Sequence, residues 1–142
     1  MSTGLIATAS VTVDAPAEAV WNALTDPAEI RKYYFGTTVE TDWRVGSPVI
    51  WHGRYEGKPY RDHGTILEVR EGQYLKHTHF SPLSGLEDKP ENHHTLTYTL
   101  EEGDGVTTVT LTQDNNDSYD AVEHSQRNWQ QVLRLLKGVV ES

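Results

Sequence analysis

His77 and His79 stand two residues apart in an alternating stretch, Tyr74 to Phe80. A strand there turns both imidazoles to one face, together with Leu75. Two neighbouring imidazoles can give two ligands to a metal ion, or one of them can act as a general base near neutral pH. A metal needs a third ligand, and the candidates His52, His63 and Glu68 are not fixed by spacing. His52 also has the opposite parity from Trp51, which counts against it. A base needs an orienting carboxylate, for which Asp62 or Glu68 is suitably placed on a neighbouring strand. No nucleophile, oxyanion motif, phosphate loop, dinucleotide fingerprint or HExxH accompanies the pair. The reading is therefore of paired polar rings, inside a cavity or half-exposed, with no catalytic residue, cofactor or metal assigned.

By strand and helix parity the same inward face carries Trp51, Tyr98 and Trp129. Tyr33, Tyr34 and Phe35 form an aromatic cluster that could close its mouth. Broad ring faces with a few ring nitrogens and hydroxyls suit a planar or amphipathic molecule. The plain alternative is that these rings fill the core. Gln126 sits on an apolar helix stripe one turn before Trp129, and a buried amide needs a partner: a ligand, sheet backbone or water. His93 and His94 are adjacent on a strand, face opposite ways and read as edge or loop-end residues. His124 falls off the Trp129 stripe and reads as solvent-facing, as do the charges of Arg31 and Lys32 beside the tyrosines.

The elements that must position these residues follow from periodicity. From Ser118 to Val140, apolar positions Val122, Trp129, Leu133, Leu136 and Val140 repeat at helical spacing, with Gln126 filling the missing step. Such a helix runs on the order of 30 Å and needs a broad apolar partner. Ser118 is its expected cap. Leu5 to Val13 alternates as a strand whose buried face is Leu5, Ala7, Ala9, Val11 and Val13. Two short helices follow, Ala17 to Leu24 and Ala28 to Tyr33, with Asp14 the expected cap of the first and Asp26 or Thr25 that of the second. Strands are expected over Val39 to Asp42, Pro48 to Tyr55, Tyr60 to Val69, Tyr74 to Phe80, His93 to Leu100 and Val106 to Gln113. Ser81 to Asn92 is a polar loop, long for a hairpin. Thr108, Thr110 and Thr112 mark the wet face of an antiparallel sheet. The expected class is α+β, one domain over residues 1–142, with a curved antiparallel meander wrapped round the long helix.

The totals narrow the function classes. The 142 residues hold no cysteine, so there is neither a disulfide framework nor a thiol nucleophile. A net charge of -9 argues against nucleic-acid or anionic-membrane partners. No apolar run is long enough to cross a bilayer, and the N-terminus does not read as a signal peptide. A cytoplasmic location is expected, as a monomer or homodimer. Four Trp and seven Tyr are the informative excess.

Taken in order, several segments resemble the SRPBCC or START-like superfamily, and more closely its branch named after the Hsp90 ATPase activator homologue, the AHSA1-like domains. They are Val20-Trp21-Asn22-Ala23-Leu24-Thr25-Asp26-Pro27 with Ile30 and Tyr33, then Val45-Gly46 before Val49 and Trp51. Gly64-Thr65-Ile66-Leu67-Glu68-Val69 with Leu75 follows, then Thr107 to Leu111 ahead of the helix bearing Trp129 and Leu133. The resemblance covers nearly the whole chain. It implies a helix-grip (Bet v 1-like) fold and a cavity for a small hydrophobic or aromatic ligand. It also leaves open cyclase- or hydrolase-type chemistry using a cavity histidine, and chaperone regulation through protein contact. Ser47-Pro48 and His79 depart from the family pattern and imply a more polar cavity. The ligand-contacting set this implies is Tyr33, Tyr34, Trp51, His77, His79, Tyr98, Gln126 and Trp129.

Overall fold

A computed structural model describes residues 4–142. The chain runs β1 (Leu5–Val13), α1 (Ala17–Thr25), α2 (Pro27–Tyr33), β2 (Thr38–Glu40), β3 (Pro48–Tyr55), β4 (Lys58–Arg70), β5 (Tyr74–His79), β6 (His94–Gly103), β7 (Val106–Asn116) and α3 (Tyr119–Glu141). The strands form one antiparallel sheet in the order β1-β7-β6-β5-β4-β3-β2. All consecutive strands after α2 are neighbours, and β1 alone crosses to the far side, next to β7. The meander and the long final helix follow the sequence expectation. The segment from Ser81 to Asn92 is less irregular than expected: it holds two short 3-10 turns, Pro82–Ser84 and Pro90–Asn92.

The core lies between the concave sheet face and the helices. Val13, Val49, Ile66, Leu96, Val109 and Leu111 from the strands meet Val132, Leu133 and Leu136 from α3 and Val20, Leu24 and Ile30 from the two short helices. The stripe of α3 is what the sheet covers, because its polar face would leave those strand side chains in water. Ser118 caps α3, its Oγ accepting the Ala121 N–H at 3.0 Å, and Asp26 caps α2 through Ala28 N–H at 3.0 Å. The cap expected from Asp14 at α1 is replaced. The Glu102 carboxylate accepts the Ala17 N–H at 2.6 Å, while the backbone N–H of Asp14 donates to Glu141 at 2.7 Å. The two carboxylates come from β6 and α3, remote in sequence, so local pattern could not reveal them.

As the outermost strand, β1 has an unpaired side. Side chains of α3 cover it. Gln126 Oε1 accepts the Thr8 N–H at 3.2 Å, and Gln130 bonds Ser10 twice, accepting its N–H at 3.4 Å and donating to its carbonyl at 2.8 Å. Lys137 donates to the Thr12 carbonyl at 2.9 Å. These bonds occupy backbone groups that would otherwise template another strand.

Close approach of β4 and β5 sets the geometry of the site. A Cβ added at Gly64 would sit 1.9 Å from the Thr78 carbonyl oxygen, so only glycine fits. The register then shifts between Ile66 and Glu68, a bulge that bends β4.

Candidate functional site

Pairing of β3 with β4 sets Trp51 opposite Asp62, on one face of the sheet. Pairing of β5 with β4 and β6 sets His77 opposite Ile66 and Leu96. The result is a ring cluster. Trp51 packs against His77 and His79 with centroids 5.0 and 5.1 Å apart, and His77 against Tyr98 at 6.1 Å. On the helix side, Tyr34 meets Trp129 edge-on at 6.0 Å. The structure thus brings together Tyr33, Tyr34, Trp51, His77, His79, Tyr98 and Trp129.

Two expected members have other work. Gln126 is turned to the β1 edge, where it satisfies Thr8, so the sheet-backbone alternative is the one realised. Tyr33 lines the interior, but its hydroxyl is taken by the Ala23 carbonyl at 2.9 Å. Phe35, expected at the mouth, is 54% exposed and touches Tyr34 at 6.2 Å.

The space enclosed by Leu24, Ile30, Tyr33, Tyr34, Trp43, Trp51, Leu75, His77 and Tyr98 amounts to about 20 Å³. That is room for about one water. The expected ligand cavity is therefore closed here, and the rings largely fill it. Tyr34 and Trp43 are the part-exposed members of this lining.

Polar chemistry concentrates on four side chains. His77 is buried and its Nδ1–H donates to the Thr78 carbonyl at 2.9 Å, which leaves Nε2 as an acceptor. Burial, reinforced by His79 and opposed by the Thr78 bond, lowers its pKa to about 4, so the ring is neutral at physiological pH. His79 Nε2 lies 3.0 Å from Asp62 Oδ2, both side chains being about four-fifths buried. Asp62 Oδ1 is buried and has no hydrogen-bond partner among the described residues. Burial, then Tyr98, Asp62 and Tyr60, holds the Tyr34 phenol well above its ordinary range, so it stays a donor. Glu68, the other carboxylate weighed for orienting a histidine, instead pairs with Arg70 at 2.9 Å.

The remaining histidines are committed elsewhere. His52 pairs with Glu40 at 2.6 Å, and His63 and His93 share Asp88 at 2.9 and 2.6 Å. Among the described residues no three His, Asp or Glu side chains are grouped to hold a metal ion. His124 is exposed, as its position off the stripe implied. Gln113 escaped notice as a site residue. It ends the inward row Thr107, Val109, Leu111, and its Oε1 accepts the Trp129 indole N–H at 2.5 Å. The signal was a polar residue closing an apolar inward row, opposite an indole that needs an acceptor.

Comparison with known proteins gives consistent results. The family model described as activator of Hsp90 ATPase homolog 1-like protein matches residues 14–141. A solution structure of a protein from Cytophaga hutchinsonii is 45% identical, with a TM-score of 0.87, over 99% of this chain and 97% of that one. The Aha1 dimer from Colwellia psychrerythraea is 19% identical, with a TM-score of 0.75, over 96% of each chain. Ara h 8.0201 is 13% identical, with a TM-score of 0.73, over 96% of this chain and 97% of that one. The last two show the fold alone. No match is found among the curated proteins.

Proposed function

The chain belongs to the activator of Hsp90 ATPase homolog 1-like family, and on that premise we propose that it binds a small aromatic molecule carrying a hydrogen-bond donor, held among Trp51, His77, Tyr98 and Tyr34. The observation that carries this reading is the Asp62 carboxylate. One oxygen engages His79, and the other is buried with no partner among the described residues, beside a cluster of rings. An unmet buried acceptor of this kind costs about 1–3 kcal/mol, a cost that a ligand N–H or O–H would remove. With only about 20 Å³ open, entry requires Tyr34 to swing outward, which its partly exposed place in the lining permits.

The test compares 2-naphthol with naphthalene, read by tryptophan fluorescence. The expected result is saturable quenching with 2-naphthol bound about tenfold more tightly, equivalent to about 1.4 kcal/mol. Asp62→Leu should erase that preference and Tyr34→Ala should strengthen both. If neither compound changes the fluorescence of the protein or of the Tyr34→Ala variant, the receptor reading is wrong. Mass spectrometry of small molecules released from natively purified protein would identify the natural occupant.

The His79–Asp62 pair favours a second reading. A carboxylate that orients an imidazole is the arrangement a general base uses, which fits cyclase- or hydrolase-type chemistry on the bound molecule. A change in mass of that molecule on incubation, abolished by His79→Gln, would support it; an unchanged molecule rules it out.

A further inference from the structure

The walls of the closed interior space are not all held alike. Most of them lie on helices or strands. Trp43 does not: it stands in the irregular segment 41–47, between β2 and β3. Its backbone is left-handed, with φ +60°, a region that bulky side chains rarely enter. Phe35, next to Tyr34 on the other side of the mouth, is left-handed too, with φ +53°. Strain of this kind gathers at ligand clamps and switch segments.

The fastenings of Trp43 are slight. Thr41 Oγ1 accepts its backbone N–H at 3.3 Å, and the Asp42 carboxylate accepts the Arg44 N–H at 3.0 Å. Beyond Trp43 the segment rejoins the sheet at Gly46, whose N–H donates to the Ile66 carbonyl at 2.8 Å. The Trp129 indole is tied to Gln113 and the Tyr33 hydroxyl to Ala23. Among the described residues the Trp43 indole N–H makes no hydrogen bond. Packing holds this partly buried ring against the core, on a backbone that would relax on letting go.

An indole is a flat pair of fused rings with one N–H. It therefore has the chemistry of the ligand read from Asp62, with a size attached. We propose that Trp43 occupies the ligand's own place and leaves it on binding, so that the occupant is a fused two-ring aromatic bearing an N–H or O–H. This rests on the receptor reading above. Tyr34 opens the way in, and Trp43 makes the room. The exchange is ring for ring: the apolar walls stay covered, the Trp43 backbone returns to an extended conformation, and Asp62 Oδ1 gains a donor. The displaced indole moves out beside Val45, which is itself exposed.

The full chain labelled with 5-fluorotryptophan gives one fluorine signal for each of its four Trp, and Trp43→Gly identifies that of Trp43. Glycine suits this backbone, so the variant keeps the turn. In the parent, 2-naphthol should move the Trp43 fluorine towards its position in the unfolded chain. Trp43→Gly should bind 2-naphthol at least tenfold more tightly than the parent, with the His77 and Tyr98 ring resonances shifting. Phenol, with one ring, and 2-hydroxyanthracene, with three, should each bind that variant at least tenfold more weakly than 2-naphthol. The proposal is overturned if Trp43→Gly binds no more tightly than the parent, if 2-naphthol bound to the parent leaves the Trp43 fluorine in place, or if either control binds as well as 2-naphthol. Tyr34→Ala separates the two readings. If it binds 2-naphthol while Trp43→Gly gains nothing, the receptor stands and Trp43 is no placeholder; if no protein binds, both fall.

Discussion

Lowering the pH from 7 to 5 should weaken the fold through His77. The ring is buried, packed by Trp51 and Tyr98, and faces His79, which pairs with Asp62. Burial depresses its pKa from 6.5 to about 4. The unfolded chain therefore binds this proton first, so the contribution to stability is complete above pH 6.5 and is lost as pH falls towards 4. Linkage over that interval gives a loss of about 2 kcal/mol between pH 7 and 5, and about 3 kcal/mol once the folded ring also titrates. Exposed carboxylates contribute their own acid sensitivity, including Asp88 and Glu141, both held below their ordinary range by hydrogen bonds. A variant isolates the histidine. Urea unfolding of the parent and of His77→Gln at both pH values should show the parent losing about 2 kcal/mol more than the variant. If the gap between the two proteins is the same at pH 5 as at pH 7, His77 does not resist protonation in the fold and the reasoning fails. NMR titration of the His77 ring gives an independent reading.

Three further substitutions probe the framework. Gly64→Ala forces a methyl to within 1.9 Å of the Thr78 oxygen; a loss of about 2 kcal/mol or more is expected in thermal melts, with His79 resonances displaced. Trp129→Phe keeps a ring but strands the buried Gln113 oxygen, so about 1–3 kcal/mol should be lost in urea unfolding. Gln130→Ala removes both bonds to Ser10; it should cost about 1 kcal/mol, and sedimentation should detect more self-association as the β1 edge opens.

Much of this fold is legible in the order of the residues. The α3 stripe, the β1 alternation and the hairpin spacing each depend on neighbours within one element, and the structure follows them closely. Parity alone also sends Trp51, His77, His79 and Tyr98 to one face. The choice between Asp62 and Glu68 needed more, because it depends on where β4 bulges and on how closely Gly64 lets β5 approach. Glu102 at the start of α1 was hidden, and the choice among the three partners open to Gln126 was left undecided, for a similar reason: each bond joins elements remote in sequence. The choice between a cavity and a filled interior was beyond reach too. Aromatic content says how much ring there is, while the residual volume depends on how Tyr34, Trp51 and Tyr98 interlock.

The helix that seals β1 also imposes a schedule on folding. Thr8 waits for Gln126, 118 residues downstream, and Asp14 for Glu141, 127 residues downstream. During synthesis the earliest strand therefore stays unshielded until nearly all of the described chain has emerged. A truncation that deletes even the final turns releases Thr12 and Asp14 at once, so shortened products should be the sticky ones, recruiting one another through a border that the intact protein keeps shut.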